Sequence, residues 1–173
     1  MTTIAINYTI DQAIDAIAAF LQPFDTTFKI IRGQQNRAPM PKDNFILLTE
    51  LFSTDLSKTN TEHNGTTQQD VISNHVELQV QIDIFSVNAG DVCRSIQNGL
   101  LSSYGYANFP AWLKPIWTDN GVQSPFISGE QQWVSRWMLT AAFMYQPTIT
   151  VTQQSATALA VDQLIAADVI YTP

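Results

Sequence analysis

The sequence predicts an α+β fold in which helices pack on a mostly antiparallel or mixed β-sheet, within a single domain. Three observations predict it: apolar residues recur at helical spacing in 10–21, polar and apolar residues alternate in 75–87, and a long strand pattern covers 131–146. This order, with a second helix between the two long strands, is typical of helices segregated to one side of a sheet.

Two helices are expected. The first covers about 10–21, with Thr9 as its N-terminal cap and Pro23 as its end. The second covers about 89–101, where aliphatic side chains share one face and Cys93 lies among them. Both helices are amphipathic, which predicts that each packs one face on the sheet.

The strand patterns differ in how much of each strand is buried. In 75–87, Val, Leu and Ile alternate with Glu, Gln and Asp, so one face is core and the other is wet or buried against a partner. In 131–146 both faces are largely apolar, which predicts a central strand that ends at Pro147. Shorter strands are expected at 28–31, at 45–52, and at 149–152, the last continuing the edge of the same sheet.

Three segments lack a clear periodic pattern. Residues 53–70 are polar and contain an Asn-Gly turn signal, so they form either a long excursion between strands or a hairpin arm. Residues 102–128 are rich in Pro and aromatic side chains and are expected to be irregular. The C-terminal extension, 148–173, ends in an Ala-rich tail that is a short helix over 157–167 or an extended arm. No repeat or linker divides the chain, so 1–173 is interpreted as one domain.

Composition excludes several classes of protein. The chain has 173 residues, with 15 Asp and Glu against 8 Lys and Arg, and a formal net charge of −7. A nucleic-acid binder needs clustered basic residues, which this chain lacks. No apolar run is long enough to span a membrane, and one cysteine rules out an internal disulfide. The 26 Asn and Gln side chains outnumber the 23 charged ones, so neutral amides provide much of the surface polarity.

The motifs of common catalytic sites are missing, including phosphate-binding loops, dinucleotide fingerprints, nucleophile elbows and zinc-protease motifs. Cys93 with His75 or His63 is the one pairing of a nucleophile and a base, but Cys93 lies on an apolar helix face, where a thiol is inert. The densest group of potential metal ligands matches no known ligand spacing and comprises Glu62, His63, Asp70, His75 and Glu77. The sequence therefore predicts no catalytic residue, no metal and no cofactor.

Two features point to an interaction surface. One is the amide-rich face of strand 75–87, and the other is the pair of weakly charged segments 53–70 and 102–128. Such surfaces are typical of interfaces that stay partly wet. Trp112 and Trp117 anchor either an interface or the core, since their segment has no pattern that separates the two.

Three stretches together resemble a known family. They are the crossing 35–41 followed by the strand 45–51; the strand-to-helix unit 80–86 with Ala89 and Asp91; and the late strand with Trp133, Arg136, Trp137 and Tyr145. In this order, in a chain with an amphipathic N-terminal helix, they resemble the neck or tail-terminator proteins of tailed bacteriophages. The resemblance covers about residues 9–147.

The resemblance implies a structural virion protein of the tail or neck, made in the cytoplasm of the bacterial host. Such a protein forms a homo-oligomeric ring, expected to be a hexamer, that caps the tail tube and stops its polymerisation. Its other partners are the tail tube protein and the head-tail connector protein, and the sheath protein is a further candidate partner. Duplex DNA passes through the lumen without sequence-specific binding, and the acidic balance of the chain is consistent with a lumen that repels DNA.

The predicted contact residues are Gln35, Asn36 and Arg37, because a loop braced by prolines loses little entropy on docking. Trp112 and Trp117 are second candidates. The alternatives are another ring-forming tail component (a tube, sheath-initiating or connector-completion protein) or a glycan-binding module that uses the aromatic residues of 102–128.

Overall fold

The computed structural model describes residues 4–34, 41, 44–127 and 133–153, which contain three α-helices and twelve β-strands. The helices are α1 (Ile10–Leu21), α2 (Ala89–Leu100) and α3 (Ser103–Asn108). The strands are β1 (Ile4–Asn7), β2 (Lys29–Arg32), β3 (Phe45–Asp55), β4 (Asn60–Asn64), β5 (Gln69–Ser73), β6 (Val76–Phe85), β7 (Leu113–Thr118), β8 (Val122–Gln123), β9 (Phe126–Ile127), β10 (Trp133–Val134), β11 (Arg136–Tyr145) and β12 (Thr148–Thr152).

Six strands form the larger sheet, in the order β2-β3-β6-β11-β7, with β8 also paired to β11. The β2–β3 pair is parallel and the other pairs are antiparallel, so the sheet is mixed. β6 and β11 lie at its centre, and for β11 the apolar pattern of 131–146 predicts this position. The predicted α+β class is confirmed, and so are the two predicted helices, whose bounds in the structure are those of α1 and α2.

The helices cover one face of the larger sheet. At the start of α1, the Gln12 N–H donates to the Thr9 hydroxyl and the Thr9 N–H donates to the Gln12 side chain, which forms a capping box. Side chains from α1, α2, β6 and β11 form one core cluster that includes Ile14, Ile17, Cys93, Ile96, Leu78, Ile82, Leu139 and Phe143. Because both long helices contribute to that cluster, the opposite sheet face is left without a helix in the described ranges.

A second sheet of four strands has the order β1-β12-β5-β4, with every pair antiparallel. The hairpin alternative for 53–70 is the one observed: β3 continues to Asp55, and β4 and β5 form a hairpin. Its turn is held by Asn64, whose side-chain oxygen accepts hydrogen bonds from the Thr66 and Thr67 N–H groups at 3.0 and 3.2 Å.

Residues 149–152 do not continue the edge of the larger sheet, and that prediction is wrong. After Pro147, which has no N–H to donate to a ladder, the chain leaves β11 and enters the interior of the smaller sheet as β12. β12 pairs on one side with β1, a strand that the sequence analysis did not predict, and on the other with β5. The Ala-rich tail lies outside the described residues.

The prediction that 102–128 is irregular is also wrong, because this segment contains α3 and the strands β7 to β9. The Ser102 hydroxyl caps α3 by accepting from the Gly105 N–H at 3.4 Å. Pro115 is tolerated within β7 because β7 is the last strand of the sheet path and lies beside a bulge in the β7–β11 pairing. A proline that normally argues against a strand therefore marks an edge here.

Candidate assembly surface

The five predicted contact residues divide into two groups. Gln35, Asn36 and Arg37 lie outside the described residues. Trp112 lies immediately before β7 and Trp117 lies within it, only five positions apart. Their surroundings differ enough to give them different physical roles.

Trp112 joins the two sheets. Its half-buried ring stacks on Tyr8 with the centroids 4.9 Å apart and the planes 15° from parallel, and meets Tyr145 edge-on at 6.2 Å. The Tyr145 hydroxyl in turn donates a hydrogen bond to the Tyr8 carbonyl. Tyr8 follows β1 in the smaller sheet and Tyr145 ends β11 in the larger one, so this aromatic group fixes the two sheets to each other.

Trp117 instead lies on the surface, with 36% of its area exposed. The strand register places it beside Ala142, Gln79 and Phe52 in one line across the larger sheet. We call these four residues the aromatic row. Phe52 is 51% exposed, so a large aromatic side chain is open to solvent at each end of the row, and none of its members is charged.

The aromatic row belongs to the helix-free face, the face of the larger sheet opposite α1 and α2. On β6 this face is formed by the polar residues Glu77, Gln79, Gln81 and Asp83, followed by Phe85. The first three are half-buried by their neighbours, whereas Asp83 is 1% exposed. The sequence analysis predicted a wet or partner-covered face here, and the burial of Asp83 shows that part of it is already covered within one chain.

An ion pair accounts for the burial of Asp83. The Arg136 guanidinium donates to Asp83 Oδ1 from Nε at 3.3 Å and from a terminal nitrogen at 3.1 Å. The Gln81 side-chain amide lies within hydrogen-bond distance of both carboxylate oxygens, at 2.9 and 2.8 Å. A buried carboxylate is stable only when it is paired and hydrogen-bonded in this way.

Aromatic stacking supports the same ion pair from the side. The Phe85 ring stacks on Phe45, with the centroids 4.2 Å apart and the planes 13° from parallel. The Arg136 guanidinium lies over the Phe85 ring at 5.7 Å, within the range of a cation–π contact. An ion pair, hydrogen bonds and ring stacking therefore hold this end of the helix-free face together, and the Arg136 side chain is 27% exposed.

Cys93 and His75, the pair considered as a nucleophile and base, are far apart. Cys93 lines a cleft of about 270 Å³ beside Gly121 and Trp137. Trp137 pairs with Ile84 near the end of β6, whereas His75 precedes the start of β6, so about 30 Å of strand separates the two positions. Burial raises the pKa of the Cys93 thiol, and the nearby Asp119 carboxylate adds to the effect. An inert, protonated thiol follows.

The potential metal ligands are also accounted for by local structure. His63 and Asp70 face each other across the β4–β5 hairpin, with Nδ1 and Oδ1 2.6 Å apart. The His75 backbone N–H donates to the Ser57 hydroxyl at 2.9 Å, and the same hydroxyl lies 3.5 Å from Nδ1 of the His75 ring. Within the described ranges, no group of three or more His, Cys, Asp or Glu side chains is placed to hold a metal ion. None of the described helices has the length and apolarity needed to cross a membrane.

Sequence reasoning missed a third surface, on the smaller sheet. The register places Ile4, Ile6, Ile72, Ile149 and Val151 on one side of this sheet, which we call the aliphatic face, and the His63–Asp70 pair borders them on the same side. Apolar residues recur at every second position in β1 and β12, where isoleucine and valine alternate with alanine, asparagine and threonine. That alternation was the available signal, but each run is only four or five residues long.

Comparison with known proteins gives a family match and similarity to solved structures. The model of a family described as phage neck terminator protein matches residues 11–169. No curated protein sequence matches the chain. Among solved structures, the chain is similar to the PVC sheath/tube terminator of an extracellular contractile injection system, determined by cryo-EM in the extended state. The two share 13% identity with a TM-score of 0.48, over 91% of this chain and 65% of the other, so this chain spans less than two thirds of that protein's length.

Proposed function

Because the chain belongs to the phage neck terminator family, we propose that it forms a closed ring that caps the finished tail tube and stops further polymerisation. Family membership supports a structural role in terminating a phage tail, as a component of the virion. The proposal adds a ring of six copies, seated on the tail tube protein and presenting its other side to the head-tail connector protein. The sheath protein is a further partner where the tail contracts.

The observation that carries this proposal is the family match, which covers most of the chain, from Asp11 in α1 through α2, the larger sheet and the strands β4, β5 and β12 of the smaller sheet. The structure adds surfaces that suit assembly. The described residues expose two separate apolar groups, the aromatic row and the aliphatic face, on different sheets. A ring needs two different complementary surfaces on each copy, because its contacts are head-to-tail.

Charge is consistent with a lumen that DNA traverses. The chain has a formal net charge of −7, and a ring of such chains repels duplex DNA through most of its surface. Clustered lysine and arginine would instead retain DNA by releasing its counterions. Passage without sequence-specific binding is therefore part of the proposal, and Gln35, Asn36 and Arg37 stay predicted contacts of the ring or its partners.

The first experiment measures the mass of the purified protein by light scattering on a sizing column, with negative-stain images of the peak. A closed hexamer has a mass of about 116 kDa, six times the 19.3 kDa of one chain, and an open centre. A protein that stays monomeric at every attainable concentration contradicts ring formation in solution.

A second experiment separates a terminator from another tail component. Purified protein is added to tube protein that is polymerising, and tube length is measured in negative stain. A terminator shortens the tubes and is found only at their ends. Incorporation along the tube, or tubes of unchanged length, would instead identify a tube or connector-completion protein.

A further inference from the structure

The aliphatic face is unusual because its side chains are exposed although they are among the most apolar in the chain. Ile6 is 70% exposed, Ile4 is 64% exposed and Ile149 is 38% exposed. The register brings them together with Ile72 and Val151 on three neighbouring strands. Contiguous exposed aliphatic side chains of this kind mark interaction sites far more often than isolated ones do.

The other side of the same sheet shows what a solvent-facing surface looks like in this chain. It is mainly polar, with Asn7, Thr148, Thr150, Ser73 and Glu62 among its members. The Asn7 amide reaches the Thr150 hydroxyl at 3.4 Å across this side. One side of the sheet is therefore suited to water and the other to a partner, and none of the described helices covers the second.

The size of the aliphatic face limits the kind of complex that it can form. Three strands about 4.8 Å apart and four residues long cover about 200 Å². A stable complex of two proteins buries about 800 Å² on each partner. The face is too small to hold two chains together alone, so it fits one contact among several in an assembly that closes on itself.

The helix-free face of a second copy offers a matching surface. Its aromatic row contains no charged side chain, and the neighbouring Glu77 carboxylate already accepts a hydrogen bond from the Gln79 amide at 2.6 Å. Its exposed aromatic ends, Phe52 and Trp117, lie on β3 and β7, with β6 and β11 between them, and two sheets pack face to face at about 10 Å. The two surfaces differ in composition and lie on different sheets of the chain, as a head-to-tail contact requires.

We propose that the aliphatic face of each copy docks on the aromatic row of the next copy, forming the repeated contact of the ring. This inference rests on the proposed function, since it names the surfaces through which that ring closes. It assigns Ile4 and Ile6 on one side and Phe52 and Trp117 on the other as the central contacts.

The first test replaces the two most exposed members of the aliphatic face while keeping β-branched side chains. The variant Ile4→Thr/Ile6→Thr is compared with Val87→Thr, a matched control because Val87 is 93% exposed and lies between β6 and α2. The double variant is expected to weaken self-association by about tenfold or more, whereas the control associates as the native chain does. Equal association of both variants overturns the inference.

A mixing experiment tests the direction of the contact. The variant Phe52→Thr/Trp117→Thr lacks the aromatic row, so neither it nor the aliphatic-face variant is expected to form rings by itself. In a mixture, one intact contact remains, and a complex of one copy of each is expected at high protein concentration only, because a contact of this size holds two chains together weakly. If the aromatic-row variant still forms dimers by itself, the aliphatic faces pair with each other and the inference is overturned.

The native chain keeps the two proposals distinguishable. If the native chain forms a ring and the aliphatic-face variant forms the same ring, the assigned contact is wrong. Ring formation itself then still stands. A native chain that never associates contradicts ring formation in solution, and the inference fails with it. Circular dichroism of each variant confirms that a loss of association does not come from unfolding.

Discussion

At the residue scale, the helix-free face depends on one buried carboxylate and the groups that surround it. Asp83 accepts hydrogen bonds from Arg136 and lies within hydrogen-bond distance of the Gln81 amide, while Phe85 supports the guanidinium from the side. This arrangement explains how a charged residue near the end of the helix-free face remains buried. It also means that removing one partner leaves the other partly desolvated and unpaired.

The variant Asp83→Asn is therefore expected to lower the free energy of unfolding by about 2–3 kcal/mol, because Arg136 keeps its charge and loses its partner. The control is Asp11→Asn, which breaks an ion pair with Arg32 whose side chains are 73% and 39% exposed. That change is expected to cost less than about 1 kcal/mol. Urea unfolding of both variants measures the difference, and equal losses would contradict the structural role of Asp83.

Alkaline pH is expected to destabilise the fold through two buried groups. Burial raises the pKa of the Cys93 thiol above its ordinary 9.0 and that of the Tyr145 hydroxyl above its ordinary 10.0. Below pH 9 the folded and the unfolded chain both keep the protons of Cys93 and Tyr145, so the stabilisation that comes from the raised pKa values is fully present. Above it the unfolded chain loses protons first, so the free energy of unfolding falls as pH rises.

Unfolding followed between pH 8 and pH 11 checks this expectation. In Cys93→Ala, the decline near pH 9 is expected to disappear while the decline above pH 10, from Tyr145, remains. An identical pH dependence in the native chain and the variant would show that the thiol does not contribute.

At the element scale, the long amphipathic elements could be predicted and the smaller sheet could not. α1, β6 and β11 each contain enough residues for a local period to appear. The ends of α1 and β6 agree with the patterns within two residues, whereas β11 begins at Arg136, five residues later than predicted, because Trp133 and Val134 form β10 and pair with β9. β1 and β12 are short strands separated by about 140 residues, so their pairing depends on a long-range register that no local window contains. The C-terminal strand was consequently assigned to the wrong sheet.

The two tryptophans show the same limit for the candidate site. Trp112 and Trp117 have the same side chain, in the same segment, and differ because Tyr8 happens to stack on one of them. Nothing near 112 in the sequence indicates Tyr8. The amide-rich face of β6 was predicted as an interaction surface from its alternation, but the partners that bury Asp83 come from another strand.

Replacing each tryptophan by alanine is expected to separate stability from assembly. Trp112→Ala removes the ring that joins the sheets and is expected to cost about 2–3 kcal/mol, with amide exchange accelerating in β1 and β12 before α2. Trp117→Ala is expected to cost less than about 1 kcal/mol and to weaken self-association instead. Hydrogen exchange and light scattering on both variants measure the two effects, and a reversed pattern would contradict both assignments.

At the scale of the whole molecule, the low charge content determines how copies attract one another. Charged residues make up 13% of the chain and the net charge is −7, so copies repel weakly at long range. The surfaces assigned to the contact are aliphatic and aromatic. Attraction between copies should therefore come from removing apolar surface from water, with ion pairs adding little.

Self-association is accordingly expected to withstand high salt. Raising sodium chloride from about 0.1 M to 1 M shortens the screening length from about 10 Å to 3 Å, which reduces repulsion between acidic chains and leaves apolar contacts in place. Sodium sulfate at equal ionic strength is expected to strengthen association further, and cooling to weaken it. Light scattering across these conditions measures the effect, with the Ile4→Thr/Ile6→Thr variant as the comparison. Dissociation in 1 M sodium chloride would show that ion pairs hold the copies together, and would move the contact away from the aliphatic face.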